Sequence, residues 1–362
     1  MTDESYIQLA IEIAKRGIGY VSPNPLVGCI IVKDDRIVGA GYHEKFGENH
    51  AEINAISSSR ENLEGTTLFV NLEPCSHTGK TPPCVDKIIE HKIKRVVIGT
   101  LDMNPLVSGK GIRKLKSAGV EVKVGVLEKE CIQLNRFFFK HITKKIPYVT
   151  IKAAQTVDGK IADIKGNSKW ISSIESRRYV HNLRSQYDAI LIGAGTANKD
   201  NPLLTVRLTE GRNPRRIVVD TNLVLKTTHK LLTNNHDSNL IIITSKNSID
   251  KKRKVKKLIS QGAHIIYSKS AGNGYLDLKY MLKELGKLNL NSILVEGGSK
   301  LFTSFFQQNL YDNFLIFLSP KLIGSGVPLT GDLGVKNIKD IHKLKLVNSE
   351  KIGEDVLIEL SK

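Results

Sequence analysis

Long hydrophobic runs are missing from this chain. Its apolar stretches, such as Val27-Gly28-Cys29-Ile30-Ile31-Val32, are far too short to cross a bilayer, so no membrane segment is expected. The opening Met1-Thr2-Asp3-Glu4-Ser5 is acidic and polar, with no basic stretch followed by an apolar one. It does not read as a secretory leader, and a cytoplasmic protein is expected. Cysteine is scarce: four in 362 residues favour metal binding or catalysis over a disulfide framework. Internal repeats and low-complexity tracts are absent too. Acidic residues are in deficit, 36 against 54 Lys and Arg, for a net charge of +18. Most of the surplus lies late in the chain: residues up to 146 carry 21 basic and 17 acidic side chains, the remainder 33 and 19. Such a balance suits nucleic acid or a phosphorylated small molecule. The one dense run, Lys251-Lys252-Arg253-Lys254, falls in an amphipathic helical pattern and reads as a solvated face.

With 40% hydrophobic and 25% charged residues, the composition is that of an ordinary globular protein, and the length predicts two domains. Ile7, Ala10, Ile11 and Ala14 predict an opening helix, and residues 27–32 and 37–42 read as a hairpin. Strands at 68–70, 95–98 and 120–124 alternate with helices opening at His50 and Cys84, at 111–118 and around 129–139. This predicts a layered α/β domain with a mixed sheet over residues 1–145. The short basic connection at 140–145 leads into a second domain, 146–362. Strands are expected there at 148–153, 189–192, 216–219, 240–243, 264–266, 292–295 and 314–318, alternating with helices in another α/β sheet.

The chemistry-bearing stretch is His50-Ala51-Glu52 followed by Pro74-Cys75-Ser76-His77-Thr78-Gly79-Lys80-Thr81-Pro82-Pro83-Cys84. His50, Cys75 and Cys84 supply three zinc ligands and leave a fourth position for water, as in catalytic rather than structural sites. Glu52 is placed to move protons. The ligands fall at element ends, where helix N-termini favour thiolate. A fourth ligand from His77 or Cys29 would make the site structural instead. Cys29 and Cys131, in apolar patterns, read as small buried hydrophobes. Zinc-dependent base deaminases carry His-x-Glu and then Pro-Cys-x-x-Cys; here eight residues separate the cysteines.

Together with Pro23-Asn24-Pro25-Leu26-Val27-Gly28 and Gly41-Tyr42-His43, the 50–52 and 73–84 segments resemble the deaminase domain of the bifunctional riboflavin-biosynthesis deaminase/reductase. The long cysteine gap separates that family from cytidine and tRNA deaminases of the same fold. The resemblance implies a cytidine-deaminase-like three-layer domain acting on a diamino-pyrimidinone ribonucleotide. It implies one zinc per chain on His50, Cys75 and Cys84, with Glu52 taking the water's proton and returning it to the ring and the departing ammonia. It places Asn24, His43, His77, Lys80 and Asn104 around the pyrimidine and its ribose phosphate. Met103 stands where the family usually has proline.

In the second half, Gly193-Ala194-Gly195 reads as a tight turn without the third glycine of the dinucleotide fingerprint, Asn198 standing in its place. Glu296-Gly297-Gly298-Ser299, between strand and helix, admits a pyrophosphate at the helix start. Lys152-Ala153-Ala154, Asp158-Gly159, Ser168-Lys169-Trp170-Ile171-Ser172, Arg184, Gly195-Thr196, Asp200-Asn201-Pro202-Leu203-Leu204-Thr205-Val206-Arg207 and Val295-Glu296-Gly297-Gly298 resemble the same family's reductase domain. This implies a dihydrofolate-reductase-like α/β domain that uses NADPH to reduce the ring-opened ribose to a ribityl chain. By that resemblance Ala154, Trp170, Ser172, Thr196, Asp200, Thr221 and the run Gly298, Ser299, Lys300, Leu301, Phe302, Thr303, Ser304 contact NADPH. Ser168, Arg184, Leu204, Arg207 and Glu296 contact the nucleotide, and Lys152, Asp200 and Glu296 surround the reacting carbon. A homo-oligomer without nucleic-acid or membrane partners is expected. A nucleic-acid base deaminase with a basic appendage is the alternative, opposed by the cysteine gap and the second-half motifs. A zinc-stabilised binding protein is a third reading, in which Glu52→Ala leaves function intact.

Overall fold

Short apolar runs separated by amphipathic stretches make strands buried on both faces, and both faces here are covered by helices. The computed structural model describes residues 1–76, 83–104, 108–271 and 274–362. Two units are present, Met1–Lys145 and Ile146–Lys362.

The first unit runs α1 (Asp3–Ala14), β1 (Gly28–Lys33), β2 (Arg36–Tyr42), α2 (Ala51–Ser58), β3 (Thr67–Leu72), α3 (Cys84–Glu90), β4 (Arg95–Thr100), α4 (Lys110–Ser117), β5 (Glu121–Val124), α5 (Glu128–Leu134) and α6 (Arg136–Lys144). Its sheet has the order β2-β1-β3-β4-β5. β1 is antiparallel to both neighbours, while β3, β4 and β5 are parallel, so the sheet is mixed. Alternation along the strands divides the core in two. Ile31, Leu68, Val70 and Ile98 pack with Ala51, Ala55, Val85 and Leu115 on one face. Ile30, Phe69 and Val97 pack with Ile7, Ala10 and Cys131 on the other. The result is three layers.

Close backbone approach seats α2 on β2. A Cβ on Gly41 would lie 2.3 Å from Ala55 N, so only glycine lets this helix, which starts just after His50, pack so near. Gly41→Ala should destabilise the unit by about 1–3 kcal/mol, the usual cost of overpacking, and lower its zinc content. Thermal unfolding and metal analysis check both effects.

The start of α1 is fixed across the sheet edge. Arg95 donates to both Asp3 oxygens at 2.9 and 2.8 Å, and Lys123 donates at 2.8 Å. The Arg95 hydrogen bonds hold the Asp3 carboxyl down at about 2, against an ordinary 3.8. A depressed folded-state value contributes stability above the unfolded value and loses it as pH falls through the folded one. The unfolding midpoints of the wild type and Asp3→Asn should therefore differ at about pH 5 and converge towards about pH 2.

The expected single helix around 129–139 is broken into α5 and α6 at Asn135. That side chain accepts from Leu26 N at 2.7 Å and donates to Leu26 O at 2.9 Å, so it serves a loop 109 residues away.

The second unit runs β6 (Tyr148–Thr156), β7 (Lys160–Asp163), α7 (Ile174–Gln186), β8 (Ala189–Gly193), α8 (Ala194–Asp200), β9 (Arg215–Val219), α9 (Lys230–Thr233), β10 (Leu240–Ser245), α10 (Lys252–Ser260), β11 (Ala263–Ser268), α11 (Leu278–Lys287), β12 (Ser292–Val295), α12 (Ser299–Gln307), β13 (Asn313–Ser319), β14 (Gly326–Pro328), β15 (Lys345–Ile352) and β16 (Asp355–Ser361). The main sheet has the order β11-β10-β9-β8-β12-β6-β13-β16-β15. The seven strands from β11 to β13 are parallel, and β16 and β15 add antiparallel at one side. After β8 the chain moves outward through β9, β10 and β11, then returns to insert β12 between β8 and β6. That reversal is a topological switch point, where open α/β sheets bind ligands.

In this second unit three features depart from the sequence expectation. Gly193-Ala194-Gly195 opens a helix, α8, instead of ending in a tight turn. β7 and β14 form a small separate ribbon. The β15–β16 hairpin was not expected, because β15 is exposed almost throughout and its polar residues hide the strand period. No helix among the described residues is long and apolar enough to cross a membrane.

Candidate active sites

In the first unit, His50 caps the start of α2, Cys84 opens α3, and Cys75 follows β3. His50 Nδ1 lies 3.5 Å from Cys75 Sγ and 3.3 Å from Cys84 Sγ. A tetrahedral ion with bonds of about 2.1 Å to nitrogen and about 2.3 Å to sulfur has ligand-to-ligand edges of about 3.5 Å. The three atoms fit zinc. Among the described residues no further His, Cys, Asp or Glu joins them, and Cys29 and Cys131 are buried apart in the core. His77 and Lys80 lie outside the described residues.

The Cys84 N–H donates to Cys75 Sγ at 3.4 Å and Val85 N–H to Cys75 O at 3.2 Å. The start of α3 thus orients a ligand as well as supplying one. Hydrogen bonding from Cys84 lowers the Cys75 thiol to about 4, and the same contact raises Cys84. A hydrogen bond to Cys75 raises His50. Glu52 is 3% exposed; burial first, then the Cys75 charge, pushes its carboxyl up to about 7. A dication at the trio would pull that value back down.

His43 is buried, with Nδ1 2.9 Å from Asn49 O and Nε2 3.1 Å from Asn24 Nδ2. A carbonyl oxygen only accepts, so Nδ1 carries the proton and Nε2 accepts from Asn24. Both ring nitrogens are engaged. His43 therefore orients the Asn24 amide, whose Oδ1 has no hydrogen-bond partner among the described residues. The Asn104 N–H donates to Asp102 Oδ1 at 2.8 Å. Nothing in the sequence pointed to Glu73 as the anchor of this region. Buried beside Pro74, it accepts N–H groups from Asp102, Gly109 and Gly111 at 3.3, 3.0 and 3.1 Å.

In the second unit the strand ends bring a different set together. β8 and β12 are parallel neighbours, so the start of α8 at Gly193–Gly195 and the Glu296–Gly298 loop lie side by side. A Cβ on Gly298 would come within 3.2 Å of Thr196 Oγ1. Added Cβ atoms on Gly193 and Gly195 would meet nothing within 4 Å, so two helix starts face an open glycine cradle. Neither Gly193 nor Gly298 offers a side-chain cap. Such a cradle fits a dinucleotide pyrophosphate. Of the run 298–304, Phe302 lies in the core. The Thr303 and Ser304 hydroxyls donate back to Ser299 O and Lys300 O at 2.7 and 3.0 Å.

Thr221 follows β9, and its carbonyl accepts from Thr244 Oγ1, Ser245 N and Ser248 Oγ. Ser168, Trp170 and Ser172 lie on a strap before α7. Trp170 is exposed at 62%, with the Arg177 guanidinium 4.0 Å from its ring centre. The strap is fastened twice. Lys321 Nζ donates to Ile171 O at 2.7 Å, and Asp355 accepts from Ser173 N and Ser176 Oγ at 2.8 and 2.6 Å. Neither Lys321 nor Asp355 belongs to a motif of the sequence.

Arg184 Nε and Nη2 donate to the two Glu296 oxygens, each at 2.8 Å. This nearly buried bidentate pair lies in the field of Lys152 and His181. Burial lowers the Lys152 ammonium, opposed by Glu296 and assisted by Arg184. Its Nζ sits 5.4 Å from the Phe317 ring centre and has no ion pair among the described residues. Leu204 is buried in the left-handed conformation, and Arg207 lies beside Arg184. Asp200 ends α8 next to Lys169 and Lys199, with its carboxyl raised by burial.

Comparison with known proteins covers both units. Residues 147–358 match the family model of the RibD C-terminal domain, and residues 1–100 that of the cytidine and deoxycytidylate deaminase zinc-binding region. The riboflavin biosynthesis protein RibD of Aquifex aeolicus is 45% identical over 98% of this chain and 97% of its own. That of Escherichia coli is 36% identical over 99% of each. The diaminohydroxyphosphoribosylaminopyrimidine deaminase/5-amino-6-(5-phosphoribosylamino)uracil reductase of Thermotoga maritima superposes with a TM-score of 0.85 at 42% identity, covering 99% of this chain and 98% of that one. Acinetobacter baumannii RibD gives 0.89 at 32%, with the same coverage.

Proposed function

The chain belongs to the family of the bifunctional riboflavin biosynthesis protein RibD, a deaminase domain followed by a reductase domain, and from that premise we propose the substrates, cofactors and residues of its two steps. It is a hydrolase and an oxidoreductase of riboflavin biosynthesis. The first substrate is 2,5-diamino-6-ribosylamino-4(3H)-pyrimidinone 5′-phosphate, deaminated in residues 1–145. The second is 5-amino-6-(5-phosphoribosylamino)uracil, whose ribosyl group is reduced to ribityl in residues 146–362. The observation that carries the reading is the tetrahedral-edge spacing of His50, Cys75 and Cys84 beside buried Glu52.

His50, Cys75 and Cys84 would hold one zinc per chain, which would supply hydroxide at neutral pH by lowering the pKa of a water towards about 7. Glu52, buried beside Cys75, His50 and Cys84, is the group placed to take a proton from water and return it to the ring and the leaving ammonia. The Asn24 amide, turned by His43, presents its oxygen to a donor on the pyrimidine, and Asn104 lines the same ring. His77 and Lys80 meet the nucleotide from the loop between the cysteines.

In the reductase, Ala154, Trp170, Ser172, Thr196, Asp200, Thr221 and residues 298–304 would hold NADPH, which would supply the hydride. Lys152 is the group placed to polarise the sugar carbonyl or imine and to donate a proton to it. Glu296, held by Arg184, sets the field around Lys152. Arg207, with Ser168 and Leu204, receives the ribose phosphate. The protein works in the cytoplasm on free nucleotides.

The test supplies the diamino-pyrimidinone nucleotide with and without NADPH. Ammonia should appear without NADPH, and NADPH should be oxidised only after deamination. Deamination of single-stranded oligonucleotides, with none of the free nucleotide, would overturn the reading.

A further inference from the structure

Two residues one turn apart on α7, His181 and Arg184, hold the segment that follows α8. Arg184 Nη1 donates to Thr205 O at 3.3 Å, and the Arg207 N–H donates to His181 Nδ1 at 3.1 Å. Between them, the Val206 N–H donates to Asn213 Oδ1 at 2.8 Å. Thr205, Val206 and Arg207 thus each have one backbone group fixed by a side chain.

The contact to His181 admits one protonation state. A backbone N–H gives a proton and cannot take one, so Nδ1 presents its lone pair and the ring proton sits on Nε2. The charged groups facing the ring are Arg184, Arg207, Lys152 and Glu296. Three are positive, and the single negative one is engaged by Arg184. Protonating the imidazole would set N–H against N–H among three cations. Burial, and then Arg184 and Arg207, hold His181 down at about 4, so the contact persists through the neutral range.

The Arg207 guanidinium, by contrast, has no hydrogen-bond or ion-pair partner among the described residues. Only its backbone is tied. We propose that His181 is a positioning residue of the reductase: as the neutral Nε2–H tautomer it fixes the backbone at Arg207 and leaves that guanidinium free for the phosphate of the nucleotide. The proposal rests on the reading of Arg207 as a phosphate contact.

The imidazole geometry supplies its own controls. The amide oxygen of asparagine falls where Nδ1 lies, whereas the amide of glutamine falls where Nε2 lies. Steady-state reductase kinetics of the full chain, given the deaminated nucleotide and NADPH, separate the cases. His181→Leu should raise KM for the nucleotide about tenfold or more while kcat changes less than about threefold, because a buried N–H loses its acceptor. His181→Asn should restore KM to within about threefold of the wild type, and His181→Gln should behave like leucine. Arg207→Ala should raise KM, and the double variant His181→Leu/Arg207→Ala should be no worse than Arg207→Ala alone. Deaminase activity of the same chains and KM for NADPH should not move, which shows that both units have folded.

His181→Asn as impaired as His181→Leu would overturn the proposal, as would additive effects in the double variant. An unchanged KM in Arg207→Ala would sink the phosphate reading itself, and the positioning role with it.

Discussion

Replacing Glu52 with glutamine will stop deamination while zinc stays bound. None of the three ligand atoms belongs to Glu52, and glutamine keeps its shape at a site with almost no exposure. What is lost is the ability to take a proton and give it back. Positioned acid–base groups contribute about 10²–10⁴-fold, so the deamination rate should fall by about a thousandfold. Metal analysis should still find one zinc per chain. The reductase, given the already deaminated nucleotide, should turn over at the wild-type rate, whereas NADPH oxidation from the undeaminated nucleotide should vanish. Normal deamination in Glu52→Gln would favour a zinc-stabilised binding protein over an enzyme.

The mirror experiment acts on the other half. Lys152→Met keeps an unbranched chain near the Phe317 ring and removes a buried cation that has no ion pair among the described residues. If Lys152 donates the proton that accompanies hydride arrival, the reductase kcat should fall by about a hundredfold or more, with little change in KM for NADPH. Ammonia release should be untouched. The pH profile carries a second signature. Burial lowers the lysine below its ordinary 10.5, so wild-type reductase activity should decline on the alkaline side before that value. The same depression means that the protonated lysine opposes folding. Stability is regained as pH rises from the lowered value towards the ordinary one, because the unfolded chain binds more protons in that window. Lys152→Met should flatten both trends; an unchanged kcat would remove Lys152 from the chemistry.

The two halves were unequally legible in the sequence. In the first, the zinc ligands lie within 35 residues at element ends, and glycine, proline and an acidic neighbour mark them. The strand before Cys75 is a short, mostly apolar run buried on both faces, which marks it without a period. What escaped notice depends on contacts distant in sequence. Asn135 interrupts a helical pattern for the sake of Leu26, and Glu73 closes three amide contacts 29 to 38 residues away. In the second half, motif strings marked the neighbourhood but not the partners. Arg184 was expected on the nucleotide, yet its guanidinium already grips Glu296, 112 residues on. His181 looks like one more polar residue on an amphipathic helix until Arg207 is seen against it. β15 hides because a strand exposed on both faces has no reason to alternate.

Asp355 has a consequence for the order in which the enzyme is made. It fastens Ser173 across 182 residues of chain, and β16, which begins with it, pairs with β13 beside the parallel block. During synthesis from the N-terminus, residues 1–145 are complete and free to assemble long before this strand emerges. The strap bearing Trp170 and Ser172 is translated early but acquires its second fastening only when Asp355 leaves the ribosome. The deaminase half can thus be finished first, whereas the strap of the reductase half is fully fastened only once β16 has been laid down.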